Sequence, residues 1–268
     1  MKNFNFKKKF GQNFLTDKNL LSSICADAEI GFGDQVLEIG AGMGALTVPL
    51  CERASKVVSY EIDNELQPHL LGLGLKNLTL HFEDALEKPL SEIEKDFDGE
   101  YKLVANLPYY ITSPLIFKFL ESNKLKSLTI MVQKEVGDRI VAKQGSKDYG
   151  VLSLSCAYFG QAKIMRKVPR QMFTPSPDVD SCIVRLDIEP NKYDLDKQTY
   201  FKLIKTAFKS RRKTLLNNLS EGLNVPKNTL SGLDFDLSKR AEQLSIDDFV
   251  KLGHLLNKFI GEKSHDKR

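Results

Sequence analysis

The stretch Gln35-Val-Leu-Glu-Ile-Gly-Ala-Gly-Met-Gly44 decides the fold of this 268-residue chain. Its first five residues are a short, mostly apolar run that predicts a strand, and its three glycines predict a tight turn before a helix over about residues 44–54. Glycines at such a turn let the backbone bend sharply and lie close to a bound ligand. The stretch therefore predicts a strand, a glycine loop and a helix in an arrangement that suits nucleotide binding.

Two acidic residues follow the glycine loop, each beyond a predicted strand. Glu61 follows the strand at residues 56–60 and stands 21 residues after Gly40. A carboxylate at this place accepts hydrogen bonds from the two hydroxyls of a ribose. Asp84 follows the strand at residues 78–82 and is placed to bind an adenine edge. Together with the loop, these residues indicate a ribose-bearing ligand.

The glycine loop alone leaves the ligand open. The spacing Gly40-x-Gly42-x-x-Ala45, with an acidic residue about 20 positions on, also fits the dinucleotide fingerprint. The loop fits a nicotinamide cofactor as well as S-adenosylmethionine, and a tight turn without a ligand is the third alternative.

The segment Asn106-Leu-Pro-Tyr-Tyr110 follows the next predicted strand and decides between the two cofactors. The exocyclic amine of adenine is a poor nucleophile because its lone pair is delocalised into the ring. An enzyme restores that lone pair by accepting hydrogen bonds from both amine protons. Asn106 offers a side-chain carbonyl, Leu107 offers a backbone carbonyl that Pro108 holds extended, and Tyr109 offers a ring for base stacking, worth ~1–3 kcal/mol. Taken alone, the segment also fits a strand-ending turn, since Asn and Pro are common turn residues.

In this order, the motifs resemble those of the ribosomal RNA adenine dimethyltransferases, and most of all the small-subunit branch, often called the KsgA or RsmA type. The resemblance spans residues 4 to about 219. It rests on Gly11-Gln-Asn-Phe-Leu15, Glu38-Ile-Gly-Ala-Gly-Met-Gly44, Glu61, Asp84, Asn106-Leu-Pro-Tyr109 and Phe173-Thr-Pro-Ser-Pro177.

The resemblance implies a fold and a reaction. The fold is a Rossmann-like, S-adenosylmethionine-dependent methyltransferase sheet with a small all-helical C-terminal domain. The reaction places two methyl groups on each of two adjacent adenosines, in a hairpin loop near the 3′ end of small-subunit (16S) rRNA. The implied partner is that rRNA within an assembling subunit, so the activity is linked to ribosome biogenesis.

The resemblance also assigns the site residues. Gly40 is expected to lie against the amino-acid end of S-adenosylmethionine, Glu61 to hold its ribose and Asp84 its adenine. Phe173 is expected to flank the target base. The full set of expected cofactor contacts is Asn13, Leu15, Gly40, Gly42, Glu61, Asp84 and Asn106, and the expected catalytic residues are Asn106, Leu107, Tyr109 and Phe173. Many relatives have Asn where this chain has Tyr110, a difference that we expect to alter local packing and not the chemistry.

Alternating strand and helix patterns predict an α/β fold with a parallel sheet. Later strands at Val151–Phe159 and at residues 182–188 predict an antiparallel addition. Beyond residue 190 the strand signal ends and several short helices follow. We therefore predict a methyltransferase domain over residues 1–189 and a small helical RNA-binding domain over residues 190–268. Further strands are predicted at residues 102–105 and 128–132, and further helices over residues 17–28, over residues 114–121 and from about residue 134.

Basic residues concentrate in two segments, one at Lys7–Lys9 and the other between Lys197 and Lys213. Between Lys197 and Lys213 the chain has seven basic residues and no acidic one. Helical spacing predicts that Lys202, Lys205, Lys209 and Arg212 share one face. A solvated face is the common explanation for such a run, but its single sign favours contact with phosphates. The expected RNA contacts are Lys7, Lys8, Lys9, Lys202, Lys205, Lys209, Arg211, Arg212 and Lys213.

The remaining composition limits the classes of protein. The net charge is +4, and the four cysteines are far apart without a C-x-x-C pair, which predicts reduced core thiols and no metal site. No apolar run approaches the ~20 residues of a membrane span, and no signal core follows the N-terminal lysines. We expect a cytoplasmic protein that is monomeric and has no membrane partner.

Three alternatives compete with the small-subunit enzyme. A large-subunit rRNA methyltransferase that confers antibiotic resistance fits the same motifs, but the C-terminal domain and the Gly11-Gln-Asn-Phe-Leu15 start argue against it. A ribosome-assembly factor without catalysis is disfavoured by Asn106 and Tyr109, although both roles together remain open. A nicotinamide oxidoreductase finds no support after residue 106.

Overall fold

The computed structural model describes residues 14–15, 17–107 and 109–265, and their side chains except those of Phe14, Tyr109 and residues 258–265. The chain divides into two compact units. One comprises Met1–Gly137 and Gln161–Ile188, and the other Asp138–Gly160 and Glu189–Arg268.

Within the described residues, the first unit contains a seven-stranded sheet in the order β4-β3-β2-β5-β6-β9-β7. Strands β4, β3, β2, β5 and β6 run parallel, and β9 is antiparallel to β6. A short ladder joins β1 to β8. The strands are β1 Phe14–Leu15, β2 Gln35–Ile39, β3 Lys56–Tyr60, β4 Leu78–His81, β5 Tyr101–Asn106, β6 Leu125–Gln133, β7 Gly160–Val168, β8 Phe173–Thr174 and β9 Ser181–Ile188.

Helices join the parallel strands, as the chain reversal between such strands requires. The first begins where the sequence predicts, because the Asp17 carboxylate caps it by accepting from the Leu20 amide at 2.8 Å. Central strand residues such as Val36, Leu37 and Leu103 are fully buried, as expected for a sheet covered on both faces. The helices are α1 Lys18–Asp27, α2 Thr47–Cys51, α3 Gln67–Leu71, α4 Leu90–Ile93, α5 Thr112–Phe119 and α6 Lys134–Ile140.

A network of charged groups fastens the end of α1 to the sheet. The buried Lys102 ammonium donates to the backbone carbonyl of Glu29 at 2.6 Å and to the Asp34 carboxylate at 2.8 Å. Arg185 on β9 donates to the Asp27 carbonyl at 2.9 Å and to the Glu29 carboxylate at 2.7 Å. Burial acts to raise the pKa of Asp34, but hydrogen bonds outweigh it, that from Lys102 first, and the pKa lies below its ordinary value.

The second unit is helical, and stacked tyrosine rings lie in its core. Tyr158 and Tyr200 stack with their centroids 4.5 Å apart, and the Tyr200 hydroxyl donates to the Leu154 carbonyl at 3.1 Å. Both rings belong to one apolar cluster with Leu203 and Phe249. The helices are α7 Val151–Phe159, α8 Lys197–Ala207, α9 Leu215–Leu223, α10 Lys227–Leu230 and α11 Ile246–His265.

The structure confirms the α/β fold, the five parallel strands and the antiparallel addition of β9. The strand predicted at Val151–Phe159 is wrong, because these residues form α7. This run is apolar and buried along most of its length, and periodicity alone does not separate a buried helix from a buried strand. The strand β7 was not predicted; exposed and half-buried residues alternate along it, as they do on an edge strand.

The predicted domain limits need one correction. The boundary expected between residues 189 and 190 lies one residue from the change of unit after Ile188. However, Asp138–Gly160, which we assigned to the first domain, packs with the second. The reason is long-range packing, since Tyr149, Leu154 and Tyr158 enter the tyrosine cluster. No helix in the described part of the chain is both long and apolar enough to cross a membrane.

Replacing Lys102 with Met should lower the free energy of unfolding by about 1–3 kcal/mol, because the Glu29 carbonyl and the Asp34 carboxylate lose a buried donor. Urea titration measures the change. Lys56→Met is the matched control: Lys56 lies at the start of β3, in the same sheet, and pairs with Asp98 at only 4.0 Å at the surface, so its loss should cost ~0–1 kcal/mol. Equal losses in the two variants would contradict a special role for Lys102.

Candidate active site

Three expected site residues meet at one edge of the sheet because the strands that carry them are parallel neighbours. Ile39 on β2 pairs with Tyr60 on β3 and with Ala105 on β5. The residues that follow, Gly40, Glu61 and Asn106, therefore lie side by side. This carboxyl edge is where ligands bind in open α/β sheets.

The glycine loop has the backbone conformation that only glycine adopts without strain. Gly40, Gly42 and Gly44 have φ of +82°, +55° and +77°. A Cβ placed on Gly40 would stand 3.8 Å from the Asn106 carbonyl oxygen. The first glycine thus lets the loop turn beside the Asn106 segment while leaving the space above it open.

Glu61 is held in place by the loop that it faces. Its carboxylate accepts from the Gly42 amide at 2.7 Å and from the Asp63 amide at 2.9 Å. Only 6% of Glu61 is exposed, and this burial raises the pKa of its carboxyl. The Ile62 amide also favours the ionised carboxyl. A carboxylate has about four acceptor sites, so these amides leave it capacity to accept a further donor.

Glu38 anchors the loop from below. This residue is fully buried, and one carboxylate oxygen accepts from the Thr47 hydroxyl on α2 and the Ser59 hydroxyl on β3, each at 2.7 Å. Burial raises the pKa of Glu38 to about 7, although both hydrogen bonds favour the ionised form. The motif quoted for the family contains Glu38, but we gave it no role; an acidic residue inside an otherwise apolar strand was the signal for one.

Asp84 opens a turn that it also stabilises. Its carboxylate accepts from the Leu86 amide at 2.8 Å, and its carbonyl accepts from the amides of Glu87 and Lys88 at 3.2 and 3.1 Å. The residue is half-buried. The position after β4 agrees with the sequence-based expectation.

The segment Asn106–Tyr110 begins at the last residue of β5. Asn106 is half-buried and Leu107 is buried. Pro108 lies outside the described residues, and of Tyr109 only the backbone, in a short 3₁₀ turn, is described. Tyr110 is 63% exposed. About a third of this residue is thus covered, and its effect on local packing stays a prediction.

The expected contacts Leu15 and Phe173 come together, although 158 residues separate them (173 − 15). They pair in the β1–β8 ladder, and both are buried in an apolar cluster that includes Met131 and Ile183. Phe173 is only 4% exposed. The structure thus uses both side chains to support the N-terminal strand. Asn13 lies outside the described residues.

The basic residues between Lys197 and Lys213 do not share one helical face as predicted, and an acidic side chain lies among them. The helix α8 ends at Ala207, so Lys209 and Arg212 do not share its face with Lys202 and Lys205. Glu221 on α9 pairs with Lys209 at 3.4 Å and with Lys213 at 2.7 Å. A tertiary contact, invisible in the local pattern, therefore puts a negative charge among the lysines.

Arg211 has a structural task in the same run. Its guanidinium donates to the Lys147 carbonyl at 2.5 Å and to the Tyr149 carbonyl. Lys202, Lys205 and Arg212 are exposed. The expected contacts Lys7, Lys8 and Lys9 lie outside the described residues.

The described residues contain no group of three or more His, Cys, Asp or Glu side chains that would hold a metal ion. The four cysteines are free and buried, and burial raises the pKa of Cys25 to about 11. These thiols are core residues, as the sequence predicts.

The comparison with known proteins matches residues 3–258 to the family model described as ribosomal RNA adenine dimethylase. The chain belongs to this family. A ribosomal RNA small subunit methyltransferase A of Alkaliphilus oremlandii is 44% identical over 268 residues, which cover 95% of this chain and 93% of that protein.

Two solved structures resemble the fold of this family member. A dimethyladenosine transferase from Plasmodium falciparum has a TM-score of 0.77 and 30% identity, over 92% of this chain and 98% of that one. The 23S rRNA methyltransferase ErmE has a TM-score of 0.70 and 25% identity, over 91% and 100%. The protein is therefore a methyltransferase with a Rossmann-like fold, and the nicotinamide alternative is set aside.

Membership of a methyltransferase family implies a methyl donor of the S-adenosylmethionine type, and the carboxyl edge fits such a group. A glycine loop in the left-handed conformation leaves room beside Asn106, and a buried carboxylate has acceptor sites to spare. The residues that would hold the donor are the expected contacts Gly40, Gly42, Glu61, Asp84 and Asn106.

Replacing Glu38 with Gln should remove a pH dependence of stability. The carboxyl has a pKa of about 7 in the folded protein against an ordinary 4.5, so folding is favoured below the lower value. This contribution, roughly 3 kcal/mol at most, is lost as pH rises through about 7.

Urea unfolding of wild type and Glu38→Gln across this pH range measures the difference. Thr47→Val keeps the carboxyl and should keep a pH dependence, shifted to higher pH because one hydrogen bond to the ionised form is lost. If Glu38→Gln showed the wild-type pH profile, the titration would belong to another group.

Proposed function

We propose that this protein transfers methyl groups from S-adenosylmethionine to the exocyclic amines of two adjacent adenosines, in a hairpin loop near the 3′ end of small-subunit (16S) rRNA, during biogenesis of the small subunit. The observation that carries this proposal is the convergence of Gly40, Glu61 and Asn106 at one sheet edge, in a chain 44% identical to a small subunit methyltransferase A.

Acidic side chains and glycines hold different parts of the methyl donor in this proposal. In the proposal, the Glu61 carboxylate accepts from the ribose hydroxyls, and Asp84 accepts from the adenine amine. Gly40 and Gly42 give the amino-acid end a surface without side chains, and Asn13 and Leu15 close the site from the N-terminal segment. When bound, the sulfonium supplies an activated methyl group, which makes a metal unnecessary.

The target amine is activated by hydrogen-bond acceptors. The Asn106 side-chain carbonyl and the Leu107 backbone carbonyl accept the two amine protons, which draws the nitrogen lone pair out of conjugation with the ring. Tyr109 stacks on the base and Phe173 supports it. After transfer the methylated amine sheds a proton readily, so the chain needs no strong base. Bases in a hairpin loop are partly unstacked, so little energy is needed to bring one into this site.

Identity favours the small-subunit target. The chain is 44% identical to the small-subunit relative and 25% identical to the 23S rRNA methyltransferase ErmE, although both alignments span most of the chain. The RNA is expected to meet Lys202, Lys205 and Arg212, with further phosphate contacts from Lys7, Lys8, Lys9, Lys209, Arg211 and Lys213. We propose a monomer that works in the cytoplasm on an assembling subunit.

A methyl-transfer assay tests the function. Purified protein receives labelled S-adenosylmethionine together with either unmethylated small subunits or large-subunit rRNA, and the modified nucleosides are identified. Dimethyladenosine in the small subunit alone is the expected result. Label in the large-subunit RNA would move the protein to the other branch, and no label in either would contradict the enzymatic proposal.

Replacing Asn106 with Ala should lower kcat by at least about a hundredfold, by analogy with the loss of one preorganised hydrogen-bond group, while RNA affinity stays unchanged. Single-turnover methylation and filter binding measure the two quantities. Asn228→Ala, at an exposed position of the second unit, is the control and should behave as wild type. Full activity of Asn106→Ala would refute the assigned chemistry.

Replacing Glu221 with Gln should strengthen RNA binding, because Lys209 and Lys213 lose their carboxylate partner. The slope of log binding constant against log salt should steepen by about one to two, since each new phosphate contact adds about one. Glu189→Gln also removes an exposed carboxylate paired with a lysine, outside the basic run, and should change neither quantity. An unchanged salt slope for Glu221→Gln would show that these lysines do not meet RNA.

A further inference from the structure

We propose that Lys118 is a positioning residue for the adenine of the methyl donor: its ammonium holds in place the turn that Asp84 begins. This inference rests on the proposed function, in which Asp84 meets the adenine. Neither the family motifs nor the sequence pattern assigns a role to Lys118.

The ammonium of Lys118 is surrounded by backbone carbonyls. It donates to the carbonyl oxygens of Ala85 at 2.7 Å and Leu86 at 2.8 Å, and also to that of Lys88. A lysine has three donors, so all of them go to this one turn. A side chain that gives all three donors to carbonyls within one four-residue turn fixes the backbone of that turn and does not merely balance its charge.

Asp84 holds the same turn from its other side. The Asp84 carboxylate and carbonyl accept the amides of Leu86, Glu87 and Lys88. The amides of the turn thus point to Asp84 and its carbonyls to Lys118. Removing the ammonium would leave three carbonyls without their donor and would free the turn to tilt, which would move the carboxylate that begins it.

The charge environment suits this task. Lys118 is half-buried, and burial lowers its pKa, while the carboxylates of Asp84 and Glu87 act in the opposite direction. An apolar side chain of equal length would fill the space, but it would neither bind the carbonyls nor balance the acidic turn.

The helix that carries Lys118 also follows the segment Asn106–Tyr110 along the chain. Strand β5 ends at Asn106, a 3₁₀ turn spans Tyr109–Ile111, and α5 runs from Thr112 to Phe119. Lys118 lies in the last turn of this helix. One short helix thus begins beside the residues that accept the target amine and ends on the turn expected to meet the donor's adenine.

Lys124 provides a matched control. It is also half-buried, and its ammonium donates to the backbone carbonyls of Glu94 at 3.1 Å and Phe97 at 2.9 Å. It precedes β6, at the amino edge of the sheet. Lys118→Met and Lys124→Met therefore remove the same chemical interaction, one near the site and one far from it.

The experiment measures ligand binding by calorimetry, without turnover. Two ligands are compared: S-adenosylhomocysteine, and S-inosylhomocysteine, in which a carbonyl replaces the purine amine. Wild type should prefer the adenosyl ligand, and Asp84→Ala should lose that preference. Lys118→Met should reduce the preference by roughly tenfold, as the loss of a hydrogen bond to a charged group implies, whereas Lys124→Met should keep it. Lys118→Arg should recover part of it.

A double variant and the kinetic constants of methylation provide two further tests of this role for Lys118. Adding Lys118→Met to Asp84→Ala should reduce the preference no further, because both act on one contact. In methylation assays Lys118→Met should raise the KM for the donor more than it lowers kcat. If Lys118→Met does not fold, Lys118→Gln undergoes the same comparison.

Two failures are distinguishable. If wild type binds neither ligand and methylates no RNA, the proposed function itself falls. If wild type and Asp84→Ala behave as expected but Lys118→Met keeps the full preference, or loses no more than Lys124→Met, then Lys118 only stabilises the fold and the inference is overturned.

Discussion

The carboxylate of Glu38 is the interaction on which the arrangement of the site depends. It lies on the central strand β2 and accepts hydrogen bonds from a hydroxyl on α2 and a hydroxyl on β3. It therefore links β2 to α2, the two elements that the glycine loop joins along the chain. A buried carboxylate is costly unless it is hydrogen-bonded, and this requirement specifies where Thr47 and Ser59 must lie. The glycine loop is then held between fixed ends, and its Gly42 amide in turn orients Glu61.

The parallel sheet extends this local order to distant parts of the chain. Gly40, Glu61 and Asn106 come from three separate segments, yet each follows a strand that pairs in register with its neighbour. The register leaves little freedom, since a slip of one residue would turn every buried side chain to the other face. The same backbone pairing that buries the core thus brings the ribose-binding and amine-binding candidates together.

The sequence predicted what depends on local pattern. The strand, the glycine loop and Glu61 could be found because their signals lie within a few residues and match the physics of one turn. The helix α7 could not, because a run that is buried on most sides shows no clear period. Glu221 was missed as the partner of Lys209 and Lys213 because only the packing of α9 brings it there. The pairing of Phe173 with Leu15 could not be predicted either, because 158 residues (173 − 15) separate the two and only the folded chain brings them together.

The order of strands also determines when the sheet can be completed during synthesis. The strand β9 lies between β6 and β7, although it is the last of the three to be made. Until Ser181–Ile188 has left the ribosome, β6 keeps an unpaired edge, and β7 has no neighbour to join. A nascent chain arrested before this strand would expose a long apolar edge that attracts other strands. The order of strands therefore leaves the nascent chain open to pairing with other chains until its final described strand emerges.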